Sequence, residues 1–479
     1  MSNAVLAKVL STGVSFVVTF FVGIIVPRIV GPESYGSYAY LIATYLFLFQ
    51  LFLFGLNTAY VYFLSDGKYS IGSVNGSFFI LYCFVVLIVG LVGLGAYFLP
   101  VRLLWGDDFS FTFVLIGFLF SLMANVQLRI IEFGDSTGYS VGFEFVRLAA
   151  KVLLLLLLVI LVFKDWLDIS NFLWAQVASL SCFLGFIYAR YNRVFQFQLS
   201  NVYRRLLLDV ALYVKPMIAF TLLAAFYSYM GKFMLQSYSG SEEQGIYQAC
   251  FQLVLIPVAF LTSLTNIFLN KMVALFKNGL KIGVASYFAG WVVRLYLMHA
   301  LFSGILVFFP GEVLLLVFGP EYSGGREVVQ YLAIFSLLHV FGLLSANLFY
   351  CSARNKLYSI INGATMVVGV CVLVMISFFY GLTAEVLAGL MAFFYGIRVF
   401  VQMAVNVAYF DVKVFALAAQ LGLVTTLYIG YFSLSRAYLD NIILVVSLSP
   451  IALLLANYLL GDALRIGHVW AQLVRRLTQ

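Results

Sequence analysis

The chain has 479 residues, 64% of them hydrophobic and only 10% charged. Soluble domains carry about 25% charged residues, so no large soluble domain fits, and length counts membrane spans. The net charge of +8 is dispersed among apolar runs, which argues against nucleic acid as a partner and for sidedness across a bilayer.

A hydrocarbon core about 30 Å thick takes about 20 apolar residues per helix. By that ruler the sequence predicts an all-α integral membrane protein of fourteen spans, near 6–26, 37–64, 76–99, 109–128, 143–163, 169–189, 207–235, 245–269, 284–309, 328–350, 357–380, 385–408, 414–433 and 441–460. The runs are continuous, not alternating, which argues against a barrel. The first follows Lys8 and reaches Val26, so it is expected to stay as a helix and not to be cleaved as a signal.

Between spans 1 and 2 stands Glu33-x-x-Gly36-x-Tyr38, and between spans 7 and 8 stands Glu242-x-x-Gly245-x-Tyr247, displaced by 209 residues at all three positions. Repeated halves are common in secondary transporters. The polar connection 190–206, with Arg190, Arg193, Arg204 and Arg205, falls between the expected halves. The expected domains are therefore a six-helix lobe at 1–195, a second at 196–410, related by a pseudo-two-fold repeat, and two further helices with a tail at 411–479.

With the N-terminus inside, sixteen loop and tail cations fall on the cytoplasmic side, among them Lys68, Arg129, Lys277, Lys281 and Arg354. Only Arg28, Arg102, Lys164, Arg326 and Arg436 fall outside. This is a strong positive-inside bias with both termini cytoplasmic. One inner loop dissents, where Glu132 and Asp135 outweigh Arg129. Trp105 and Trp166 fall at outer span ends, where an aromatic belt is expected.

Several chemistries lack their residues. The five cysteines lie in or beside apolar runs without CxxC spacing and read as small buried hydrophobes. No metal-ligand cluster and no GxxxxGK[ST] loop is present, so neither a metal nor ATP hydrolysis is expected. The short external loops argue against a membrane glycosyltransferase or polysaccharide polymerase, the rival from a different class.

Cations within spans call for a partner or a cavity. They are Arg147 and Lys151 in span 5, Lys215 and Lys232 in span 7, Arg294 in span 9 and Arg398 in span 12. Arg147 and Lys151 are four apart and share a helix face, and Glu144 is placed to pair with Arg147. Counted at 1.5 Å per residue, Arg147, Lys151, Lys215 and Arg294 lie in the inner half, Arg398 at or below the midplane and Lys232 toward the outside. Such a cationic vestibule suits a phosphate headgroup; the competing reading is that these side chains snorkel to the interface. Pro216 reads as a hinge or a tolerated kink. Asn57, Asn125, Gln127, Gln252 and Asn347 could line a sugar path, or merely bond neighbouring helices. His339 is the candidate for proton or ion coupling, against a structural role.

Several stretches resemble one family. Val26-Pro-Arg-Ile-Val-Gly-Pro-Glu-Ser-Tyr-Gly-Ser-Tyr-Ala-Tyr40 and Gly55-Leu-Asn-Thr-Ala-Tyr60 resemble the first hairpin of the polysaccharide (O-antigen, Wzx-type) flippases of the MOP exporter superfamily. Lys232-Phe-Met-Leu235 with Gly245-Ile-Tyr-Gln-Ala249 is similar to the central signature of that family. Val317-Phe-Gly-Pro-Glu-Tyr322, Ser345-Ala-Asn-Leu-Phe-Tyr350 and Arg354-Asn-Lys356 resemble its later hairpin and tenth span. One departure is Gly231, where members commonly carry an acid before the basic residue. The resemblance implies two lobes around a cavity open alternately to each side. It implies an undecaprenyl-pyrophosphate-linked oligosaccharide as substrate, membrane lipids as surroundings, and a polymerase and chain-length regulator of the same pathway as partners. The location implied is the bacterial inner membrane. No cofactor is expected beyond a proton or sodium gradient. Within the superfamily the rivals are a lipid II flippase and a multidrug/cation antiporter; the latter favours buried carboxylates, which are few here.

Overall fold

In lipid an apolar run has no partner for its backbone except itself, so each run closes its own hydrogen bonds and becomes a helix. The computed structural model describes residues 3–66, 68–98, 105, 109–195, 203–412, 414–438, 445–446 and 448–449. Every regular element among them is helical. The first half holds α1 (Asn3–Leu53), α2 (Leu56–Asp66), α3 (Ile71–Gly95), α4 (Phe111–Thr137), α5 (Ser140–Phe163), α6 (Ile169–Tyr191) and α7 (Tyr203–Val214). The rest holds α8 (Ile218–Lys277), α9 (Lys281–Phe308), α10 (Pro310–Val317), α11 (Arg326–Cys351), α12 (Asn355–Tyr380), α13 (Ala384–Phe410) and α14 (Val414–Tyr438). Ser70, Ser110, Asp168 and Thr383 begin α3, α4, α6 and α13 by accepting a hydrogen bond from the backbone N–H three residues on, which satisfies an orphan donor of the first turn.

Eleven helices among the described residues are long and apolar enough to cross a membrane. Two of these segments, Val17–Leu53 and Ile218–Leu255, each contain a break, at Gly31 and at Gly240, and so hold two expected spans apiece. The chain is a multi-pass membrane protein. The expected span at 441–460 and the tail beyond it lie almost wholly outside the described residues.

Several boundaries differ from expectation for local reasons. Span 2 was expected unbroken over 37–64, but Phe54 and Gly55 take positive φ (45° and 88°) and part α1 from α2. Span 7 was expected over 207–235, but a 3-10 turn at Lys215–Met217 interrupts it, where Pro216 has no N–H to continue the ladder. Span 4 was expected to end near 128; α4 runs on to Thr137 and stops at Gly138, φ 86°. A short helix, α10, and a 3-10 turn at Pro320–Gly325 fill a connection read as loop. Trp105, expected in an aromatic belt, is fully buried: its ring meets Tyr40, Tyr45 and Phe109, and its indole N–H donates to the Gly93 carbonyl at 2.7 Å. The cysteines also divide, with Cys250 and Cys351 buried but Cys83, Cys182 and Cys371 exposed. Outward faces in a membrane protein are as apolar as the core, so an apolar run does not say which face a small residue takes.

Packing divides the chain into two compact units, Met1–Gly245 and Ile246–Gln479. The expected lobe boundary at 195/196 abuts residues 196–202, outside the described set, and the lobes at 1–195 and 196–410 with the appendage 411–479 stand as a proposal. The core of unit 1 gathers Leu41, Tyr45, Phe49, Trp105, Val114 and Leu173. Exposed Phe163 and Trp166 cap the turn from α5 to α6. Midway along α7, Lys68 (2.6 Å) and the Tyr69 hydroxyl (2.6 Å) both donate to Asp209, and these two bonds hold the Asp209 carboxyl below the usual carboxylate range. In unit 2, α11 packs along both α9 and α13, and α14 lies against α9 through Val424, Tyr428 and Phe432. Phe378, Phe379 and Tyr380 stand exposed at the end of α12.

The repeated signature has a structural counterpart. Gly31 and Gly240, also 209 residues apart, both break their helices with nearly the same backbone angles: φ 78°, ψ 167° and φ 80°, ψ −171°. Five residues on, Gly36 and Gly245 touch each other within unit 1. A Cβ on Gly36 would collide with the Ser241 carbonyl and lie 2.7 Å from the Gly245 nitrogen; one on Gly245 would collide with the Pro32 carbonyl. Ser37 donates to the Ser241 hydroxyl at 3.0 Å across this contact. Each repeated tyrosine reaches a later helix of its own unit: Tyr38 accepts from Gln176 of α6 at 3.0 Å, and the Tyr247 hydroxyl meets Met391 of α13.

Overpacking against flexible side chains costs about 1–3 kcal/mol, and here the obstacle is backbone. Gly36→Ala and Gly245→Ala should each lower the melting temperature in detergent sharply or prevent folding. Gly185→Ala on α6, with open space around it, should leave it equal or slightly raised.

Candidate functional site

The expected cationic residues fall into separate local settings. On α5, Glu144, Arg147 and Lys151 share one face by their spacing of three and four. Glu144 is 3% exposed and pairs with Arg147 at 2.5 Å, as the spacing suggested. Lys151 is half-buried; its ammonium donates to the Thr19 hydroxyl of α1 at 2.8 Å and reaches the Ser15 carbonyl at 3.5 Å. Glu144 is thus spent on Arg147, and Lys151 is held by neutral oxygens.

The Lys215 and Lys232 positions differ. Lys215 was expected inside a span, but it is exposed on the turn that joins α7 to α8. Lys232 is half-buried in α8, beside Phe233, whose ring packs edge-on against Tyr40 and Phe47.

In unit 2 the structure brings His339 and Arg398 together through a ring the sequence did not single out. The Tyr395 hydroxyl shares a 2.9 Å hydrogen bond with His339 Nδ1, and the two rings stack at 5.4 Å. One turn along α13, the Arg398 guanidinium lies 4.2 Å over the Tyr395 ring, a cation–π contact that steadies the charge without neutralising it. Arg398 Nε is buried with no hydrogen-bond partner among the described residues. Arg294 is half-buried on α9, 5.4 Å over the Trp291 ring.

The polar residues expected along a sugar path also separate. Asn125 donates back to the Ser121 carbonyl of its own helix at 2.9 Å, the structural alternative. Asn347 is 1% exposed, with neither amide atom partnered among the described residues. Gln252 is half-buried on α8. Asn57 lines a cavity of about 590 Å³ within unit 1, together with Tyr60, Asn75, Tyr82, Arg129 and Asn192. Tyr60 donates to Asn75 at 2.9 Å.

Two groups here escaped the sequence. Arg129 was read as a loop residue; α4 carries it into the cavity wall, ion-paired with Glu132 at 2.5 Å. The signal was present, since Arg129 and Glu132 are three apart and the apolar pattern continues to Phe133. Arg354, another loop cation, lies 3.7 Å over the Tyr409 ring and donates to Asn406 at 2.6 Å, while Asn406 donates to the Ser345 carbonyl at 3.0 Å. That network ties α11 to α13 and no local spacing announces it.

The profile of a family described as polysaccharide biosynthesis proteins matches residues 3–269. No curated protein matches the chain in sequence. Among solved structures, the lipid II flippase MurJ in an inward closed conformation is similar at TM-score 0.65 and 12% identity, over 95% of this chain and 98% of that one. An inward-facing multidrug resistance MATE transporter of the MOP superfamily matches at 0.59 and 12%, over 87% and 99%. Its outward-facing counterpart gives 0.55 and 14%, over 86% and 96%. At these identities the likeness is one of fold, shared with these MurJ and MATE structures.

Removing one partner of a buried ion pair strands the other, at about 3–5 kcal/mol. Arg147→Met should therefore lower the melting temperature clearly, and the double variant Glu144→Leu/Arg147→Met should recover most of the loss.

Proposed function

Because the chain belongs to the polysaccharide biosynthesis protein family, we propose that it moves an undecaprenyl-pyrophosphate-linked oligosaccharide from the cytoplasmic to the outer leaflet of the bacterial inner membrane. The observation that carries the reading is a surplus of positive charge on helices long and apolar enough to cross a membrane. Lys151 rests on a hydroxyl and a carbonyl, and Arg398 on an aromatic ring with its Nε unmet. Charges held this way in a low-dielectric setting favour an anion, and a guanidinium favours phosphate by its forked donors.

In this reading Lys151, Arg398, Arg294 and Lys232 meet the pyrophosphate in turn during alternating access. Arg147, already paired, orders the face on which Lys151 stands. Lys215, on its exposed turn, meets the headgroup on entry. The isoprenoid tail stays among the membrane lipids, while Asn57, Gln252 and Asn347 offer amides to the sugars. A proton or sodium gradient supplies the energy, with His339 as the proton carrier, coupled to Arg398 through Tyr395. A polymerase and a chain-length regulator would receive the product outside. The fold resemblance to a lipid II flippase fits the same chemistry, since both cargoes present a pyrophosphate on a polyprenyl chain.

Cells depleted of the protein should accumulate the lipid-linked oligosaccharide on the cytoplasmic face, shielded from a non-permeant glycosidase applied to spheroplasts. Wild type should restore exposure, and Arg398→Gln and Lys151→Gln, present as folded protein, should each lower its rate about tenfold or more. Normal exposure after depletion would reject the reading. Loss of lipid II exposure in its place would reassign the cargo.

A further inference from the structure

We propose that the unit 1 cavity holds the phosphate-bearing head of a cytoplasmic-leaflet lipid, at a site built from the ends of α2, α3, α4 and α6. The site depends on the membrane orientation expected from charge, and not on flipping. The cavity, about 590 Å³, is large enough for a headgroup and the first methylenes of its chains.

Its polar lining is rich in donors. Arg129, Tyr82, Asn57 and Asn192 are among its lining residues, and no carboxylate is. Glu132 engages Arg129 through one terminal nitrogen only. Arg129 Nε and the Tyr82 hydroxyl are both buried and without a hydrogen-bond partner among the described residues, and the positive charge of Arg129 acts on Tyr82. Two buried, unmet donors on residues of one cavity wall ask for an acceptor, and phosphate oxygens are strong ones, within reach after a small side-chain adjustment.

The remaining wall says which kind of phosphate. Phe78, Ile130, Phe133 and Ile187 line the interior, and Phe79 and Tyr188 at the lining are exposed large hydrophobics, 57% and 73%. A soluble anion would gain nothing from such a wall, and an uncharged lipid would offer Arg129 Nε and the Tyr82 hydroxyl only neutral ester or hydroxyl oxygens, weaker acceptors than phosphate. The place is also right. Lys68, Arg190 and Arg193 flank these helix ends, on the face expected to be cytoplasmic, where anionic headgroups collect near basic clusters.

The test is native mass spectrometry of the purified full chain in uncharged detergent, titrated with phosphatidylglycerol, with diacylglycerol of the same chains, and with inorganic phosphate as competitor. One phosphatidylglycerol should be retained and diacylglycerol should not, with millimolar phosphate failing to displace the lipid. Arg129→Gln should weaken retention about tenfold, the scale of a lost charge-assisted hydrogen bond, and Tyr82→Phe by less. If Arg129→Gln does not fold, Asn192→Asp at the exposed rim decides, since an added negative charge should weaken phosphatidylglycerol alone. Equal binding of diacylglycerol, displacement by free phosphate, or wild-type retention in the folded variants would each overturn the site. Sidedness of the oligosaccharide is a separate readout, so failure of the flipping reading leaves this result standing.

Discussion

Two glycines held backbone to backbone set the geometry on which the rest of unit 1 depends. Gly36 and Gly245 approach so closely that neither has room for a methyl group, and five residues before each a positive-φ glycine redirects its helix. In lipid there is little hydrophobic force to draw helices together, so close packing through small residues and interhelical hydrogen bonds does that work. The Ser37–Ser241 bond across the contact supplies the second of these. In unit 1 Tyr38 then meets Gln176 of α6; in unit 2 the matching Tyr247 meets Met391 of α13.

Charge is handled by a second rule. Burying an ion requires a partner, but the partner need not be an opposite charge. Arg147 takes a carboxylate; Lys151 takes oxygen lone pairs; Arg398 and Arg354 take aromatic faces. The last three arrangements steady a cation while leaving its charge uncompensated. A cation steadied in this way can meet an anion without a preformed ion pair having to be broken first.

Much of this was legible in the sequence, and the failures share a cause. Helical spans, the repeated Glu–x–x–Gly–x–Tyr hairpins and the Glu144–Arg147 pair are local in sequence, governed by run length or by spacing of three. The contact between the two repeated glycines joins residues 209 apart, so the repeat was visible but its purpose was not. Trp105 was misplaced because an indole at a span end suits an interface and a core equally; only the packing of Tyr40 and Tyr45 around it decides. Lys215 was placed inside a span because hydropathy averages over the proline that ends the helix there. Arg129 was taken for a loop residue because the ruler of about 20 residues stops short of the helix that carries it.

The exposed aromatic rings noted above have a consequence for where the protein can reside. Phe163 and Trp166 in unit 1, and Phe378 to Tyr380 in unit 2, stand exposed at helix ends. Rings of this kind prefer the headgroup boundary. α12 has 26 residues, about 39 Å of helix, against a hydrocarbon core of about 30 Å, so its excess length must be met by tilt or by reaching into the interface. A bilayer of altered thickness would pull on these anchors and change the slope of the helices they terminate. Lipid chain length is therefore a physical variable acting on each unit from its rim.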